Sequence, residues 1–222
     1  MPMFTSRSLV RRIALISSLV LVPSCFTGPR PSLETTDTIT PVQDPAARAL
    51  VDLLATSTKA SFTVEYNVVT KFGGLTTTAI VAIDPSLGKS VEIGDTRFLY
   101  AAEGTTSTCT VSTGECSNGI DETRVSDRQL TSTFFAQSAM ERIRQDVRVA
   151  VGPANGYAST TAERATTCAD FTVVDSTGAS RTKTYCAFDD LSVIAVLDTA
   201  DLSINATTVT DMIDTARFQP PS

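Results

Sequence analysis

Ser61-Phe62-Thr63-Val64-Glu65-Tyr66-Asn67-Val68 alternates apolar and polar residues without a break, and that period of two decides how the chain is read. Phe62, Val64, Tyr66 and Val68 fall on one side of a strand, and Thr63, Glu65 and Asn67 on the other. Gly73-Gly74 supplies a turn, and Leu75, Ala79, Val81 and Ile83 form the apolar side of a returning strand. Asp84-Pro85-Ser86-Leu87-Gly88 ends it, and shorter strands are predicted over about 90–93, 96–102 and 106–111. The pattern resumes over about 156–164, 167–174, 181–188, 192–197 and 203–208, where Leu191, Val193, Ala195 and Leu197 make a further apolar stripe. The reading predicts nine or so strands.

On either side of the first strands the period changes to that of a helix. Asp44 is placed to cap and Pro45 to occupy the first turn of a helix running to about residue 59, with Ala47, Leu50, Val51 and Leu54 on its buried stripe. A second helix is predicted over about 132–149, with Phe135, Ala139, Ile143 and Val147 in one stripe, Met140 beside it, and Gly152-Pro153 as its stop. Strands in runs with few helices between them indicate an α+β fold: a curved antiparallel β-sheet (half-barrel) with two main helices covering the concave face. One domain is expected over residues 45–222.

Upstream, Arg7, Arg11 and Arg12 precede an apolar run, Ile13 to Val22, and then Pro23-Ser24-Cys25. This is the pattern of an export signal over 1–24. Ten residues of helix cover only about 15 Å of a ~30 Å hydrocarbon core, too little for a span. Val22 at minus three and Ser24 at minus one before Cys25 resemble a lipoprotein signal, although Pro23 departs from its usual small residue. Acylation makes Cys25 the first mature residue and tethers the chain to the extracytoplasmic face of the cell membrane; ordinary secretion leaves Cys25 free. Residues 25–44, rich in Thr, Pro, Ser and Asp, read as a flexible tether.

Composition narrows the function. The apolar share is 42%, that of a packed protein. The formal charge of −6 becomes more negative once the leader takes three arginines with it, which argues against nucleic acid as a partner and against a broad electrostatic dock on anionic lipid. There is no histidine, which removes Ser-His-Asp and Cys-His nucleophiles and imidazole zinc sites. Outside the cytoplasm the remaining cysteines pair. Of three possible pairings, turns at Ser112-Thr113-Gly114 and Asp175-Ser176-Thr177-Gly178-Ala179 favour Cys109 with Cys116 and Cys168 with Cys186. A four-thiolate metal site has no Cys-x-x-Cys to build on.

Four motifs carry chemistry elsewhere and read as ordinary turns or surface here. Ser86-Leu87-Gly88-Lys89 has the spacing of serine-lysine acyl enzymes without their partner motifs. Gly88-Lys89-Ser90 imitates the end of a phosphate loop, but a strand follows it. Asp189-Asp190 is a hairpin turn. Asn205-Ala206-Thr207 is a glycosylation sequon, of little meaning behind a bacterial leader.

The leader, the tether, the first helix running into Ser61-Phe62-Thr63-Val64-Glu65-Tyr66, the mid-chain helix, Thr184-Tyr185-Cys186-Ala187-Phe188 and the closing Phe218-Gln219-Pro220-Pro221 together resemble the bacterial envelope lipoprotein superfamily of LolA and LolB, including actinobacterial lipoproteins of the LppX/LprG type. The resemblance implies a half-barrel over an apolar cavity and a non-catalytic role in binding or carrying a lipid or other hydrophobic ligand, as a monomer without cofactor or metal. No headgroup motif of the family is matched here. Candidate lining residues come from strand alternation and helix stripe alone: Phe62, Val64, Tyr66, Val68, Val81, Ile83, Phe135, Met140 and Ile143. The same stripes fit a filled core equally well, and then a lipoprotein that modulates a membrane partner. A hydrolase built on Ser or Asp is the third class, and predicts a carboxylate cluster in a cleft.

Overall fold

Strand pairing carries the alternation of the first hairpin across the whole molecule. The computed structural model describes residues 42–56, 59–125 and 129–221. Its first meander is β1 (Phe62–Thr70), β2 (Leu75–Asp84), β3 (Gly88–Ile93), β4 (Thr96–Ala101), β5 (Thr106–Thr110) and β6 (Cys116–Asn118). A second runs through β7 (Asn155–Thr161), β8 (Arg164–Val174), β9 (Ser180–Phe188), β10 (Ile194–Asp198) and β11 (Leu202–Thr210). The described strands thus number eleven, against nine or so expected. They form one open antiparallel sheet, β6-β5-β4-β3-β2-β1-β11-β10-β9-β8-β7, in which the first strand pairs with the last. A sheet this wide cannot stay flat, and its inner, concave face takes the core. The fold is α+β.

Two helices lie on that face. α1 (Pro45–Ala55) starts where expected: the Asp44 carboxylate accepts from the Ala47 N–H at 3.0 Å and from Ala154 N–H at 2.8 Å, and Ala47, Leu50, Val51 and Leu54 are buried. It stops at Thr56, short of residue 59. α2 (Gln137–Val149) begins five residues later than the stripe suggested. Thr131, Thr133 and Ser138 bond one another through their hydroxyls, which competes with helical hydrogen bonding just before the helix.

α1 packs on α2 and on β7, β8 and β9, and α2 packs on β8. The β1–β5 part of the concave face is covered instead by residues 119–125 and 129–136. The Thr96 hydroxyl bonds Arg124 O at 3.3 Å, Tyr100 and Ser132 share a hydrogen bond of 2.5 Å, Ser132 is held by the Glu122 carboxylate, and the Ile194 N–H donates to Phe135 O at 2.8 Å. Tyr66, Phe134 and Phe135 stack edge to face in a row, with centroids 5.4 and 5.9 Å apart.

The outer face carries both disulfides, Cys109–Cys116 and Cys168–Cys186, each between directly opposed strand residues with Cα atoms 4.0 Å apart. It also carries the chain's end. A 3-10 turn, Thr215–Phe218, lies against β3 and β4, where the Arg97 guanidinium binds Glu92 at 2.8 Å and the carbonyls of Ala216 and Gln219 at 3.4 and 3.3 Å. Residues Thr40–Ser222 make one compact unit; Met1–Ile39, with the leader and Cys25, lie outside the described residues, as does the tether up to Pro41. No helix among the described residues is long and apolar enough to cross a membrane.

Two expectations follow. Tyr66 is fully buried and its hydroxyl donates to Ile194 O at 2.9 Å, so Tyr66→Phe leaves a buried carbonyl unpaired and lowers stability by about 1–3 kcal/mol, seen as an earlier urea midpoint at unchanged slope. Asp84 accepts from Ser86 and Ser61 hydroxyls and from the Ser86 and Leu87 N–H groups, which pulls its pKa down to about 2. A depressed carboxylate stabilises the fold above its unfolded pKa and loses that contribution as pH falls through the folded one. The Tm deficit of Asp84→Asn, clear at pH 7, therefore shrinks between pH ~4 and pH 2.

Candidate functional site

Register assigns every strand residue to a face. Phe62 opposes Ile83, Ile83 opposes Lys89, Lys89 opposes Tyr100 and Tyr100 opposes Thr106, a single row across β1–β5 on the concave side. The parallel rows above it hold Val64, Val81, Val91 and Phe98, then Tyr66, Ala79, Ile93 and Thr96. From Phe62 to Val68 these rows extend about 20 Å along β1. They form an apolar trough.

The candidate lining residues are accordingly brought together, though not as the walls of an open cavity. Phe62, Val64, Tyr66, Val68, Val81, Phe135 and Ile143 are buried, and Ile83 and Met140 are partly buried against them. Phe134 packs on Tyr66 of β1, and Phe135 packs on Phe134 with its ring 5.3 Å from the Lys89 ammonium of β3, both buried within the trough. Leu75 departs from its stripe: it opposes Thr70 at the turn end of the β1–β2 hairpin and is 50% exposed.

Two of the three larger clefts lie away from the trough, and one opens at its end, beside Ile93 and Thr96. One of about 470 Å³ is on the outer face, between Ile80, Glu92 and Arg97 of the sheet and Arg217 to Pro221 of the C-terminal turn. One of about 220 Å³ opens at the strand ends between Leu75, Ile93, Val125 and Leu130. A third, of about 320 Å³, lies between the end of α1 and Asp189-Asp190. Those two carboxylates do not converge: Asp190 pairs with Arg164 at 2.5 Å while Asp189 accepts from the Thr167 hydroxyl at 2.8 Å. Among the described residues no group of three or more acids, histidines or cysteines could hold a metal ion.

A fourth, polar cleft of about 120 Å³ contains what alternation and stripe did not reveal. Asp146 on α2 is buried and its two oxygens accept from Tyr185 Oη and Lys183 Nζ, each at 2.6 Å. Burial first, then the carboxylate's charge, pushes the Tyr185 phenol far up, so it stays a donor at any ordinary pH. Asp146 lies three residues beyond Ile143, on the apolar face itself. The cue in the sequence is an acid breaking a helix stripe opposite a strand with a lysine at a core-facing position. The triplet fastens helix to sheet, and Asp146→Ala, which strands the Tyr185 hydroxyl and Lys183 ammonium, costs about 2–3 kcal/mol by chemical denaturation, more than Lys183→Met.

No protein-family model and no curated protein sequence matches this chain. Among solved structures it is similar to a LolA superfamily protein from Nitrosomonas europaea, at a TM-score of 0.36 and 8% sequence identity, with 73% of this chain and 92% of that chain covered.

Proposed function

We propose that this chain is a non-catalytic lipoprotein of the cell envelope, anchored through Cys25 on the extracytoplasmic face of the membrane, whose domain binds the acyl part of a lipid or another hydrophobic ligand. The observation that carries the reading is the concave trough. It is apolar apart from Lys89 and the threonines of β4 and β5, and over β1–β5 its cover is chain without an α-helix, whose rings at Phe134 and Phe135 occupy the volume a ligand would take. Exchange of two aromatic side chains for an acyl chain conserves buried apolar area, so the cost of uptake is that of moving the stretch alone. The role needs no nucleic acid, cofactor or second subunit.

One observation favours the alternative of a filled interaction module: the candidate lining residues pack against one another and line none of the clefts described above. Native mass spectrometry separates the two. The mature chain carrying Cys25→Ser retains or takes up long-chain lipid in molar proportion, and Phe134→Ala increases the uptake by opening the trough. Clean lipid-free spectra for both proteins after incubation with lipid micelles would leave only the interaction module.

A further inference from the structure

The concave face holds two lysines, and they are treated differently. Lys183 is neutralised by Asp146 at 2.6 Å. Lys89 has no carboxylate within ion-pair distance among the described residues; its ammonium instead lies 4.0 Å from the centroid of Tyr100 and 5.3 Å from that of Phe135. It occupies a core-facing register position, between Ile83 and Tyr100 and in line with Val91 and Ile93, where alternation calls for an apolar residue. A rim lysine ordinarily extends its ammonium to water along its own methylenes. Here the head is half-buried over two rings, and burial lowers its pKa. Ring faces attract a cation far less than a carboxylate or phosphate does, so the ammonium is partly desolvated and lacks an anion in contact among the described residues, the Glu122 carboxylate being engaged by Ser132 behind Tyr100.

Its position supplies the other half of the argument. Lys89 sits in the row at the end of the trough, and Phe135, one of the two rings that fill the trough, is also one of the two that cover the ammonium. Displacing that one side chain uncovers apolar wall and cation together. A ligand that does so gains most when it has a long apolar chain ending in an anion.

We propose that Lys89 is the headgroup-recognition residue of the trough, selecting lipids whose polar end is a carboxylate or a phosphate over neutral ones of the same chain. The inference rests on the trough being a ligand site. Binding to the mature Cys25→Ser chain is measured by calorimetry for oleate, oleyl phosphate, oleyl alcohol and inorganic phosphate. The native chain binds at least one of the two anionic lipids at least tenfold tighter than the alcohol, and which one distinguishes a carboxylate from a phosphate preference. Inorganic phosphate, lacking the chain, binds far more weakly. Lys89→Met and Lys89→Gln bring the ratio of anion to alcohol affinity, measured within each variant, to about one, and Lys89→Arg keeps the native ratio; far-ultraviolet circular dichroism and Tm show that the variants are folded. Equal affinity for alcohol and anions in the native chain, or a preference that survives in folded Lys89→Met and Lys89→Gln, overturns the role of Lys89 and leaves the trough standing. Failure of every probe to bind removes the trough as a ligand site, and this inference with it.

Discussion

The pairing of β1 with β11 is the contact on which the molecule depends. It runs from Thr63 opposite Thr210 to Thr70 opposite Leu202, with one register shift at Glu65/Tyr66, and joins two meanders that are otherwise separate hairpin stacks. Either stack alone would expose one apolar face and a long central edge. Joined, they give a sheet wide enough to curl over a core. Side chains reinforce the seam at two levels: Tyr66 reaches across to the Ile194 carbonyl, and Lys71 bridges to Asp198 and the Thr199 carbonyl, both at 2.6 Å. The buried bond is the more valuable, because the lysine pair is half exposed to solvent.

The concave face is covered by two kinds of structure, and the difference matters. Over β7–β9 it is helix on sheet, fixed by the α1 stripe and by the bond from Asp146 to Tyr185. Over β1–β5 it is irregular chain held by separate polar clamps, with Phe134 and Phe135 pressed into the sheet. A helix must leave as a unit, whereas chain held by individual side-chain bonds can yield locally. The half of the face with the yielding cover is also the half that carries Lys89, the lysine without an ion-pair partner among the described residues.

Much of the layout was legible from pattern alone. The alternation from Phe62 to Val68, the glycine turn at 73–74 and the Asp44-Pro45 start each act over a few residues, so local sequence encodes them. The late start of α2 was not legible, because a stripe of Phe135, Ala139 and Ile143 looks helical, while the hydroxyl bonds among Thr131, Thr133 and Ser138 that hold the chain out of a helix are set by the folded chain. Nor was Asp146, whose place in the core depends on Tyr185 and Lys183 from a strand far along the chain. Leu75 failed for the opposite reason: alternation assigns a face but not whether anything lies over it. Whether the apolar rows bound a cavity or a solid interior was likewise beyond pattern, since that depends on where two phenylalanines of an irregular segment come to rest.

The seam between first and last strands has a temporal consequence. Because β1 finds its second neighbour only in residues 202–210, the sheet cannot be completed until those residues are present, and the closing of so long a loop makes the barrier high. A chain that emerges N-terminus first thus keeps its central edge open until residue 210 has emerged. Slow closure of this kind keeps the polypeptide threadable for longer, and it makes the final strand the event that commits the molecule to its shape.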